Sequence, residues 1–159
     1  TPPGVAVTTF SILFARMKAD LETFVRGLFA IEEIEDGDRV LIAEACTHHP
    51  LEDDIGTIKI PRWMRAYTGK EIEFVKSCGK DYPEDLEQFR MIIHCGGCML
   101  TARHVEVRVE EATRRGVPIT NYGLAISYLT GVLERALDPF PELRRLVHEH
   151  RAAAGRDRR

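Results

Sequence analysis

Met91-Ile92-Ile93-His94-Cys95-Gly96-Gly97-Cys98 decides the reading of this chain. A four-residue apolar run ends on a histidine and opens at once into a Cys-x-x-Cys turn with two glycines between the thiols. A short apolar run bounded by turn residues reads as a buried strand. Three further runs share that character. Arg39 to Ala45 precedes Cys46, Glu71 to Val75 alternates, and Val117 to Asn121 precedes Tyr122 and Gly123. Helical patterns fall between them at 61–67, 83–89 and 100–115, and Leu124 to Leu137 reads as an apolar helix after the last strand. The 61–67 segment carries Pro61 in its first turn, and the 100–115 segment stops at Arg114-Arg115-Gly116. Strands alternating with helices specify an α/β fold: a four-stranded, mainly parallel sheet with flanking helices, of the Rossmann-like or flavodoxin-like kind. An amphipathic helix over residues 9–28 precedes it, with Phe10, Leu13, Phe14, Met17, Leu21, Phe24, Val25 and Leu28 as its apolar stripe. The segment from Pro141 is expected to be a short helix that frays.

In parallel sheets of this kind, ligands bind outside the carboxyl ends of the strands. Cys46 follows the first strand, His94 and Cys95 the third, Asn121 and Tyr122 the fourth. With strand order 2-1-3-4, the first and third strands are neighbours and three thiols converge on one crevice. Thiolates select soft metals, zinc or iron–sulfur clusters. Gly96 and Gly97 leave room for a bulky group to approach the backbone. A closed zinc site needs four protein ligands, which His48 or His94 would complete. A redox Cys-x-x-Cys leaves Cys46 without a role, and cysteines that merely pack are common. Three thiolates with adjacent histidines fit a [4Fe–4S] cluster that keeps one weaker or exchangeable iron site. Cys78, after the second strand, reads as a packed side chain. Asp53-Asp54 reads as a turn and helix-start device, and Asn121 and Tyr122 as candidates for lining the crevice.

Composition sets the outer limits. The 159 residues are 44% hydrophobic and 30% charged, with a net charge of −3. That is the profile of a folded domain, without the strong basic excess of a nucleic-acid binder. No apolar run approaches the roughly 20 residues that span a bilayer, and no leader pattern is visible, so a cytoplasmic protein is expected. No phosphate-binding loop, nucleophile elbow or His-Glu-x-x-His motif is present, and no catalysis is expected of this chain.

Cys46-Thr47-His48 with His94-Cys95-Gly96-Gly97-Cys98 resembles the C-x-H…H-C-x-x-C signature of the HydF family, the maturation GTPases of [FeFe]-hydrogenase. Thr47-His48-His49-Pro50, Asp53-Asp54-Ile55-Gly56, Lys59-Ile60-Pro61-Arg62-Trp63 and Val117-Pro118-Ile119-Thr120-Asn121-Tyr122-Gly123 extend the likeness over residues 8–140. The resemblance implies a cluster-binding segment at 37–140, preceded by the end of a dimerisation domain at 1–36 and followed by a tail at 141–159. It implies that Cys46, Cys95 and Cys98 hold a [4Fe–4S] cluster. His48 or His94 would be the fourth ligand or an outer hydrogen-bonding group, and Gly96 and Gly97 the cluster-loop backbone. The implied role is that of a scaffold. It receives a di-iron precursor from radical maturation enzymes and passes it to apo-[FeFe]-hydrogenase, with a homodimer in the full-length form. The family's GTPase domain has no counterpart here.

Overall fold

The computed structural model describes residues 5–45, 54–79 and 82–157. Its sheet has four strands: β1 (Arg39–Glu44), β2 (Glu73–Cys78), β3 (Met91–His94) and β4 (Ile119–Asn121). The order is β2-β1-β3-β4 and every pairing is parallel. The expected class is observed, and the order, which the residues left open, is the 2-1-3-4 that makes β1 and β3 neighbours. β1 and β3 lie inside the sheet, and Val40 to Ala43 and Met91 to Ile93 are each at most 1% exposed. A strand covered on both faces has no polar side to alternate with, which is why these runs are continuous. β2 is an edge strand and starts two residues later than expected. Arg39 pairs with Glu73 in register, joined by a 3.1 Å ion pair.

Helices cover both faces. They are α1 (Phe10–Lys18), α2 (Leu21–Gly27), α3 (Ile60–Thr68), α4 (Ala102–Arg114), α5 (Tyr122–Leu129), α6 (Leu133–Ala136) and α7 (Pro141–Asp157). The helix expected over 9–28 is two helices. Ala19 is extended, and the Asp20 carboxylate accepts the N–H groups of Glu22 and Thr23, capping α2. Its oxygen satisfies donors that a continuous helix would have bonded internally. The stripe also differs from expectation. α1 buries Ile12 and Ala15, whereas Phe10 and Met17 are 80% and 74% exposed. Ile12, Leu21, Phe24, Val25, Leu28 and Ile31 join the same apolar core as the strands.

Three further expectations are corrected. The 83–89 segment forms only a single 3-10 turn at Leu86–Gln88, because Phe89 is already extended as it enters β3. The apolar 124–137 run is broken at Gly131, whose φ of +76° no helix accommodates. The C-terminal helix α7 is 17 residues long. Leu143 and Val147 bury its inner face, and Arg144–Asp138 and Arg151–Glu134 pair it to the preceding segment.

Candidate functional site at the carboxyl edge

Ala43, His94 and Asn121 lie side by side at the carboxyl ends of β1, β3 and β4, and Glu44 faces Cys78 on β2. The chain leaves β3 through Cys95, whose N–H continues the ladder to the Ala43 carbonyl at 2.9 Å. The buried Cys95 sulfur accepts the N–H of Ala45 at 3.4 Å. Cys46 is the residue after Ala45, and it lies outside the described residues together with Thr47, His48, His49, Asp53 and the stretch between. Two bonds therefore tie Cys95 to the end of β1.

Gly97 has φ +62° and turns the chain outward. Only glycine takes this conformation without strain. A Cβ on Gly97 would also press to 3.3 Å from Val105, whereas one on Gly96 would meet Ser11 at an ordinary 3.5 Å. The Leu100 N–H closes the turn onto the Gly97 carbonyl at 3.0 Å, and Cys98 is exposed on it.

Lys18, in the last turn of α1, donates from Nζ to the carbonyls of Gly97 (2.6 Å), Leu100 (2.8 Å) and, more distantly, Cys98 (3.4 Å). It brings a positive charge to the backbone between and beyond the thiols. Its local sequence signals only a basic residue at a helix end.

His94 is 1% exposed. Its Nδ1–H donates to the Cys95 carbonyl at 2.5 Å, and Nε2 is buried without a partner among the described residues. Burial first, then the charge of Arg108, holds its pKa down to about 4, so at neutral pH the ring is an uncharged base with an unused nitrogen.

Asn121 and Tyr122 are occupied by the scaffold. Asn121 caps α5 through Oδ1, which accepts from Leu124, while its Nδ2 donates to the Ser11 carbonyl at 2.9 Å. The Tyr122 hydroxyl donates to Glu44 Oε1 at 2.9 Å, and Lys76 pairs with the same carboxylate at 2.7 Å. Burial, then the neighbouring Glu44 carboxylate, pushes the Tyr122 hydroxyl pKa up. Asp54 begins the π-turn Ile55–Lys59 that leads into α3, its Oδ2 accepting from the Thr57 N–H at 2.8 Å. This is the turn role expected of it. Cys78 is exposed at the end of the edge strand.

Among the described residues, no three His, Cys, Asp or Glu side chains converge to hold a metal ion. The described part of the thiol site does suit a metal–sulfur group in its chemistry. It offers a buried sulfur that takes a backbone N–H, a left-handed glycine turn, an orphaned imidazole nitrogen and two cationic side chains close by. Among the described residues, no helix is long and apolar enough to cross a membrane.

No curated protein matches the chain. A family model described as the hydrogen maturase F tetramerization domain matches residues 22–139, most of the chain, and the protein belongs to that family.

Proposed function

We propose that this chain is a non-enzymatic, oligomer-forming scaffold of hydrogenase maturation that carries a [4Fe–4S] cluster on Cys46, Cys95 and Cys98. Membership of the family supports the maturation role and self-assembly. One observation carries the rest. The Cys95 sulfur accepts the N–H of Ala45, the residue before Cys46, at the carboxyl edge where β1 and β3 meet. An N–H donated to a thiolate sulfur is a standard means of stabilising cluster ligation.

The residues divide the work. Cys95 is the buried anchor, and Cys98 presents its sulfur at the surface, where cargo and partners arrive. Lys18 and Gly97 hold the turn between them. His94 faces the site as a neutral base, suited to an outer hydrogen bond or to the fourth iron, a role it shares with His48. When bound, the cluster supplies an iron site from which a di-iron precursor is received and released. Radical maturation enzymes are the donors in this reading and apo-[FeFe]-hydrogenase the acceptor. In the same reading residues 37–140 hold the cluster. Residues 1–36 contribute the helices that pack on that segment and the ammonium of Lys18, and residues 141–159 are a tail whose Pro141–Asp157 part is an outer helix.

Anaerobic reconstitution with iron and sulfide tests this. The expected product is brown, with a broad absorbance band near roughly 400 nm that dithionite bleaches, and Cys46→Ser abolishes it. A colourless protein holding about one zinc per chain would replace the cluster with a structural zinc site. Reversible Cys95–Cys98 oxidation with Cys46→Ser fully active would replace it with a dithiol exchanger.

A further inference from the structure

We propose that Arg108 is the built-in counter-charge of the thiolate site: a buried guanidinium held beneath the Cys95–Cys98 turn to balance the anionic group those sulfurs carry. The inference rests on the cluster reading above.

Arg108 sits on α4 and is 4% exposed. A guanidinium does not lose its proton in a protein, so a full positive charge is enclosed here. Among the described residues, no carboxylate pairs with it. Its Nη1 donates a long hydrogen bond to the Gly79 carbonyl at 3.4 Å, and among the described residues Nε and Nη2 are buried without an acceptor. Its plane rests on the Tyr82 ring, with Cζ 4.6 Å from the centroid. A cation–π contact and one weak bond offset only part of the desolvation of a buried charge. Among the described residues, this cation therefore has donors to spare and no anion.

The packing indicates which anion is missing. Val105 lies one helical turn before Arg108 on the same face of α4. A Cβ on Gly97 would lie 3.3 Å from Val105 Cγ2 and 3.6 Å from His94 Cε1. The buried face of α4 therefore lies directly beneath the turn that separates the two thiols. Arg108 and the Cys95 sulfur both act on the Tyr82 hydroxyl, whose pKa burial pushes up to about 12. Three thiolates on an iron–sulfur core carry net negative charge, and in a poorly solvated site a cation acts on such a charge beyond contact distance. Arg108 is a positioning and charge-balancing residue, with no ligand role.

The experiment compares the full chain with R108M and R108K in two states. In the metal-free protein, R108M is expected to melt at or above the wild-type temperature, because the charge it removes has no carboxylate partner among the described residues. After reconstitution with iron and sulfide, R108M is expected to lose its cluster about tenfold faster under a chelator, the usual scale for outer residues of a metal site. Its reduction potential, read by EPR-monitored titration, is expected to move negative, since reduction adds negative charge that no cation then offsets. R108K keeps a cation and is expected to recover most of the potential. A metal-free R108M that melts far below wild type, or does not fold, overturns the proposal by making Arg108 structural. If wild type loads a cluster and R108M matches it in lifetime and potential, the proposal fails while the cluster reading stands. If wild type takes up no iron, the cluster reading itself fails.

Discussion

Two charged corners are buried along the carboxyl edge of the sheet, and they are built in opposite ways. At the β1–β2 corner, Glu44 (6% exposed) is fully engaged: Lys76 pairs with one oxygen and the Tyr122 hydroxyl donates to the other. At the β3–α4 corner, Arg108 and His94 are as deeply buried, yet three of their nitrogens have no partner among the described residues. A closed corner stabilises the fold and offers nothing to a ligand. An open corner lowers the stability of the empty protein and favours whatever completes it. The contrast is what favours the β3–α4 side over the β1–β2 corner in the proposed role.

The largest expected effect tests the open corner. The His94 pKa falls from an ordinary 6.5 to about 4 in the folded state. Above pH 6.5 the ring is neutral whether folded or not, and it costs nothing. Between pH 6.5 and 4 only the unfolded chain takes up the proton. His94 is therefore expected to cost the metal-free protein about 3 kcal/mol of stability across that window, a contribution that levels off below it. Urea melts at a series of pH values measure this slope. His94→Asn should flatten it, and an unchanged slope in that variant would show that the open corner has been misread.

The closed corner comes next. Glu44→Ala strands Lys76 and the Tyr122 hydroxyl and is expected to cost about 2–3 kcal/mol, less than a fully buried pair because Lys76 still reaches water. A loss below about 0.5 kcal/mol would erase the distinction between the corners. Gly56 packs against this pair so tightly that a Cβ there would overlap the Tyr122 hydroxyl. Gly56→Ala is expected to cost about 2 kcal/mol by forcing the π-turn or the tyrosine to shift. Tyr122→Phe removes one hydrogen bond to a carboxylate that keeps its lysine, for about 1 kcal/mol. It should leave cluster uptake unchanged, and a loss of uptake would tie the closed corner to the site after all.

Much of this arrangement is legible in the residues, because it is local. The apolar runs that become β1 and β3 need no partner to be recognised, and the thiol placed just after β3 falls on the carboxyl edge by topology alone. What escapes the sequence depends on contacts across the fold. Asp20 and Gly131 interrupt apolar periodicities strong enough to mask them, so two helices each read as one. The π-turn at Ile55–Lys59 has no pattern to announce it. Arg108 does leave a trace: it shares the stripe of α4 that buries Val105, Val109 and Ala112, and a charged residue on a buried stripe is rare unless it has a purpose. Lys18 leaves none, because the carbonyls it serves are contributed by a distant part of the chain.

That last contact bears on how the protein folds. The Lys18 ammonium meets carbonyls 79 to 82 residues further along the chain, so it forms only once both ends of that span are in place. Contacts of such high sequence separation form late in folding. The turn between Cys95 and Cys98 is then one of the last pieces to set, and a nascent or half-folded chain offers its thiols without the turn that organises them. Hydrogen exchange at the Leu100 amide, which closes that turn, should follow global unfolding in the intact chain and become fast in Lys18→Met. In this way the chain withholds an ordered thiol turn until its first helix has docked, and in the proposed role the loading of metal would report that folding is complete.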